Sequence, residues 1–215
     1  GSAGGEGGSS FPGAPGGGAI HIVAESVLID GTLSANGGQA DTRHGSGTGG
    51  SLWIEASNLF GVGRITANAG TSLPSAGGRI AIYAATNGFT GQIQAAGGPG
   101  AGAGTIYLEN TTTGQTRLLV DNLGRAGPAA ALTDPGPTAW DFDIVELVGS
   151  GRLQLLDPDD SILLTNDNMR GDGTGQFVIA GELDLALTTL RGFGFYARPG
   201  ASLTLPSVFT IEGVP

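Results

Sequence analysis

The sequence predicts an all-β chain wound into a parallel β-solenoid of about eight rungs, a rod about 40 Å long at roughly 4.8 Å per rung. Three observations carry this. Four segments repeat with one constant internal spacing. Within each segment, apolar residues alternate with others, which is the period of a strand. Glycine and proline, 42 and 11 of 215 residues, interrupt every window long enough for three helical turns.

The repeats align without gaps: AIHIVAESVLIDGTLSANGG from Ala19, SLWIEASNLFGVGRITANAG from Ser51, RIAIYAATNGFTGQIQAAGG from Arg79 and TIYLENTTTGQTRLLVDN from Thr105. Apolar residues stand second and fourth: Ile20 and Ile22, Leu52 and Ile54, Ile80 and Ile82, Ile106 and Leu108. Another follows 13 residues after the first, at Leu33, Ile65, Ile93 and Leu119. A small residue comes two later in three copies, at Ala35, Ala67 and Ala95. From that third apolar position to the next copy the spacing changes, from 19 to 15 to 13 residues. The connecting stretches GGQADTRHGSGTGG, AGTSLPSAGG and GGPGAGAG therefore read as loops tolerant of insertion. No tight hairpin signal joins two strands inside a unit.

The second half is less regular. FDIVELV, GRLQLL, SILLTN, QFVIAGELDLAL, FGFYA, ASLTLP and VFTIEG read as strands. The expected organisation is a Gly-rich segment or incomplete first rung over 1–18, regular repeats over 19–123, a lateral loop over 124–139, and a continuation of the same solenoid over 140–215. The lateral stretch from Gly124 to Ala139 has three prolines and no periodicity.

The motifs G-x-[IL]-x-A-N-G, GGRIAIY, GTIYL and LLVDN resemble Gly-rich segments of right-handed parallel β-helices in large bacterial surface and secreted proteins. The likeness is close from about Gly16 to Asn122 and loose after Trp140. It implies a right-handed β-helix, extracellular or on the cell surface, working as a rigid or adhesive module of a longer chain. Neighbouring modules, or self-association through open solenoid ends, are the implied partners. It carries no catalytic residues over. Copy four departs from the pattern, with Arg117 where Gly31, Gly63 and Gly91 stand.

Composition narrows the function. Nine basic residues, all arginine, face 19 acidic ones, for a net charge of −10. Nucleic acid and anionic lipid both need clustered cations, so neither is an expected partner. No apolar run approaches the ~20 residues of a membrane span. Without cysteine there is no disulfide framework and no thiolate metal site.

Among candidate sites, the outward side of the first strand stands out. Its third positions are His21, Trp53, Ala81 and Tyr107, and its fifth are Val23, Glu55, Tyr83 and Glu109. If the copies stack, Trp53, Tyr83 and Tyr107 share one face with Glu55 and Glu109. Rings with flanking carboxylates hold sugars by stacking and hydrogen bonding, so glycans are the candidate ligand. The competing reading is a face covered by a loop or a neighbouring module. Polysaccharide cleavage is the less favoured alternative. Asp159-Asp160 sits in turn context, and the Arg-x-Lys of polygalacturonases is impossible without lysine. No cofactor is expected. Calcium is the one ion that Asp157, Asp159, Asp160, Asp167 and Asp172 could suit, with solvated turn aspartates preferred. His21 and His44 lack partners at metal-ligand spacing. Asn36, Asn68 and Asn122 read as a structural ladder, built on the tolerance of asparagine for left-handed backbone. Arg170-Gly171-Asp172 spells an integrin-recognition tripeptide and reads as a charged loop.

Overall fold

The computed structural model describes residues 13–40, 45–133, 139–156, 159–180, 182–185 and 189–212. Every regular element among them is a β-strand. Three copies supply β1 (Ala19–Leu28) and β2 (Thr32–Ser34), β3 (Ser51–Gly61) and β4 (Arg64–Thr66), and β5 (Arg79–Phe89) and β6 (Gln92–Gln94). The fourth supplies β7 (Thr105–Asn110) and β8 (Thr116–Asp121). Then come β9 (Ala130–Leu132), β10 (Ala139–Trp140), β11 (Ile144–Val148), β12 (Arg152–Leu155), β13 (Ser161–Ile162) and β14 (Met169–Gly171). The chain closes with β15 (Gln176–Ile179), β16 (Glu182–Asp184), β17 (Thr189–Leu190), β18 (Gly194–Ala197), β19 (Ser202–Thr204) and β20 (Thr210–Ile211).

The first three copies stack as the alignment requires. Ile20, Leu52, Ile80 and Ile106 stand in parallel register, as do Ile22, Ile54, Ile82 and Leu108. Leu33, Ile65 and Ile93 form a second parallel ladder. Ile54, Ile65 and Ile82 are fully buried, and each such side chain contributes about 1.5–3 kcal/mol. The long strands bend. Inward residues run Leu52, Ile54 and then Leu59, an odd step that a flat strand cannot make. The ladder skips Ser57, which marks the corner.

Among the described residues, the connecting stretches expected as tolerant loops are packed at many of their glycines. Ser46, Gly47, Gly49 and Gly50 are buried. Gly47 N–H bonds to Gly38 O within the same stretch at 3.0 Å, and two bonds reach the next connection: Gly49 N–H to Ala76 O at 2.9 Å and Gly70 N–H to Gly47 O at 2.9 Å. Ala35, Ala67 and Ala95 carbonyls accept from the Gly50, Gly78 and Gly104 amides, each at 2.7 Å. A Cβ on Gly47 would stand 1.9 Å from Pro15 O. Glycine is needed here for close backbone approach. Such packing uses no side chains, so it leaves no periodicity in the sequence.

Copy four does not complete a rung. β7 and β8 pair antiparallel, Ile106 against Leu119 and Glu109 against Thr116. Asn110 builds the turn: its Oδ1 accepts the Thr112 and Thr113 amides at 3.0 and 2.9 Å. The stacked glycine position explains the break. A Cβ on Gly63 or Gly91 would lie 2.1 Å from the glycine carbonyl of the rung before. Arg117 cannot stand there, so Leu119 leaves the ladder of Leu33, Ile65 and Ile93.

The hairpin has a large consequence. Leu118 and Val120 point to the side of Tyr107, opposite Ile106. The seven-stranded sheet, ordered β1-β3-β5-β7-β8-β11-β14, thus carries a core on each face. One gathers Leu52, Ile54, Ile82 and Ile106. The other gathers Leu118, Val120, Val145, Leu147 and Met169 with Leu153 and Phe177. Leu153 and Phe177 belong to a parallel four-stranded sheet, β9-β12-β15-β18. β10 with β13, β16 with β19 and β17 with β20 also pair in parallel. The stretch expected as a lateral loop is therefore not loop throughout. Ala130 pairs with Leu153 and Leu132 with Leu155, and Ala139-Trp140 forms β10. Three prolines masked these short strands.

Candidate functional site

Because the second core begins only at β8, the Tyr107 side of β1 and β3 stays open, and that of β5 is half-covered. There the register sets His21, Trp53, Ala81 and Tyr107 in one row and Val23, Glu55, Tyr83 and Glu109 in the next. The five predicted residues do share one face. Tyr83, from the second row, fills the gap that Ala81 leaves. Ring centroids follow at 5.0 Å from His21 to Trp53, 6.0 Å to Tyr83 and 5.5 Å to Tyr107. The series continues at 6.2 Å to Phe142, on which Trp140 stacks.

The strip grades from open to covered. Trp53 is 48% exposed and Phe142 only 7%. The strip is open at Trp53 and packed against the chain's own second core at Tyr107. Where strip meets core lies an open groove of about 420 Å³. Tyr83, Thr105 and Tyr107 form its floor, and Leu132, Ala139, Trp140, Asp141 and Phe142 its wall.

Polar groups fix the rings. His21 Nε2 lies 2.9 Å from Glu55 Oε1. The Tyr107 hydroxyl donates to Glu109 Oε2 at 2.7 Å. Burial first, then this bond and the neighbouring negative charges, push the Tyr107 phenol well above its ordinary range. Burial and the charges of Glu109 and Glu55 raise Tyr83 as well. Both rings are neutral hydroxyl carriers at pH 7.

Sequence reasoning missed the wall. Trp140-Asp141-Phe142 alternates ring, acid, ring, a usable signal. Its placement beside Tyr107 follows from the hairpin, which the gap-free alignment hid.

The remaining candidates fare differently. Asn36 Oδ1 accepts the Asn68 amide and Asn68 Oδ1 the Ala96 amide, each at 2.7 Å. Asn122 Oδ1 instead accepts from Gly97, one residue on, at 2.9 Å. The ladder works through these bonds and not through left-handed backbone, since among the described residues the non-glycine positions with positive φ are Leu123 and Ser150. Asp172 accepts from the Gly149 amide at 2.9 Å and from Thr174 at 2.6 Å, so the tripeptide's carboxylate holds a turn. Asp159 is exposed and Asp160 buried, so the two carboxylates sit in unlike surroundings. Asp157 and His44 lie outside the described residues. Among those described, no three acidic or histidine side chains gather closely enough to hold a metal ion.

No family model, no curated protein and no solved structure matches the chain.

Proposed function

We propose that the chain is a right-handed parallel β-helix of an extracellular or cell-surface protein, and that it works as an adhesive module holding glycans along its open aromatic strip. The observation that carries this is the unbroken series of rings from His21 to Trp140, left uncovered over its first half. Monomeric domains rarely expose such a row without use. A single hand of winding fits both halves. Reversing the strand direction while moving the core to the other face is a half-turn about the long axis, which preserves handedness.

Holding is favoured over cleaving. Glu55 and Glu109 are separated by β5 and each is engaged by a neighbour, His21 or Tyr107. A glycan array with the intact chain and Trp53→Ala tests the reading. Binding should weaken on truncation by about 2 kcal/mol, the scale of an aromatic anchor. Absence of any binding would leave a rigid spacer as the function. Polysaccharide depolymerisation lost on Asp159→Asn or Asp160→Asn would make the chain an enzyme.

A further inference from the structure

The carbohydrate reading above leaves open which glycans are held and where. Building on it, we infer that the strip and its terminal groove select a neutral oligosaccharide, and that uronic or sulfated chains are excluded.

The groove provides the place. Its volume of about 420 Å³ falls within the range of small-molecule sites. The floor rings Tyr83 and Tyr107 lie in line with Trp53, so a chain seated against the Trp140 wall runs out along the strip. The ring-to-ring steps of 5.0 to 6.0 Å offer roughly one aromatic face to each successive sugar.

Charge provides the selectivity. Asp141 stands exposed in the groove wall, and Glu109 and Glu55 flank the floor rings. Asp143 is close enough to act on the Tyr107 phenol. Carboxylates accept sugar hydroxyl protons well and repel a ligand's own carboxylate or sulfate. The arginine of β5, Arg79, lines a separate groove with Gly77, Gly78 and Pro128. The chain's net charge of −10 adds a long-range barrier of the same sign.

A cation is the other guest that rings and carboxylates attract. Aromatic cages surround such a guest. Here the rings stand side by side on neighbouring strands, tilted by 36°, 43° and 56°, and present a strip.

The chain's two tryptophans are Trp53 on the strip and Trp140 in the wall, so intrinsic fluorescence reads both ends of the site. The intact chain is titrated with β-1,4-linked gluco- and manno-hexaose, with hexagalacturonate and with choline, alongside Ala139→Phe and Asp141→Arg. Both substitutions fall at exposed positions and leave the core untouched. A neutral hexaose should change the emission of both tryptophans. Ala139→Phe, which fills the groove, should weaken it about tenfold or more. Asp141→Arg should admit hexagalacturonate. Tighter binding of hexagalacturonate or choline than of either neutral hexaose by the unmodified chain would overturn the ligand class. Binding lost in Trp53→Ala but unchanged in Ala139→Phe and Asp141→Arg would overturn the groove while the adhesive reading stands. Silence toward every glycan would remove both.

Discussion

Replacing Gly78 by alanine tests the claim that the glycine-rich connections are packed backbone. An added Cβ would stand 2.1 Å from Gly50 O, 2.8 Å from Gly49 C and 2.9 Å from Ala67 Cβ. Carbon contacts below 3.0 Å essentially do not occur, so the two rungs must part by about 0.9 Å, and the nearest atoms are backbone that cannot swing aside. Two bonds span this contact: Gly78 N–H to Ala67 O at 2.7 Å and Arg79 N–H to Gly50 O at 2.9 Å. Lengthened by that amount, both pass the limit of a hydrogen bond. Each buried group left unpaired costs about 1–3 kcal/mol. The stiffer unfolded chain returns only about 0.4–1 kcal/mol. A net loss of about 3 kcal/mol follows, or a fall in Tm of about 6–12 °C for a domain of this size. Gly31→Ala is the matched control, because nothing lies within 4 Å of its added Cβ. It should be neutral or slightly stabilising. Thermal melts and urea titrations of both variants decide. Equal melting of Gly78→Ala and the parent would refute the packed-backbone account.

Deleting four residues within Gly45–Gly50 should abolish cooperative unfolding by circular dichroism, since Gly47, Gly49 and Gly50 each bond to a neighbouring segment. Ile82→Ala should cost about 2–5 kcal/mol in urea titrations; a change under about 1 kcal/mol would contradict the inward ladder. Tyr83 and Tyr107 should ionise above the ordinary value of 10.0 in an ultraviolet pH titration. The folded value is raised, so this stabilisation is full below pH 10.0 and is lost as pH climbs through the folded values. Burial raises the Asp172 carboxyl, but its bonds to Thr174 and the Gly149 amide outweigh this and hold it below 3.8. Its stabilisation is therefore present above pH 3.8 and lost as pH falls through the folded value. The stability gap between the parent and Asp172→Ala should narrow in that acid window.

The sequence by itself determined the parallel register of the first three copies. The step of 13 from Ile20 to Leu33, Leu52 to Ile65 and Ile80 to Ile93 is kept because each rung must bring its side chains back into one core. The same register placed Trp53, Tyr83 and Tyr107 on one face with Glu55 and Glu109, since strand residues two apart point the same way. Three things only the tertiary structure decided. The glycine stretches are packed, and contacts between backbones leave no pattern of side chains to read. The fourth copy folds back, because Arg117 cannot occupy a slot where the rung before leaves no room for a Cβ. The second core then lies on the opposite face, so Trp140 and Phe142 arrive beside Tyr107. That meeting depends on strand direction, which alternation of apolar residues cannot express, because a strand reads the same in either sense.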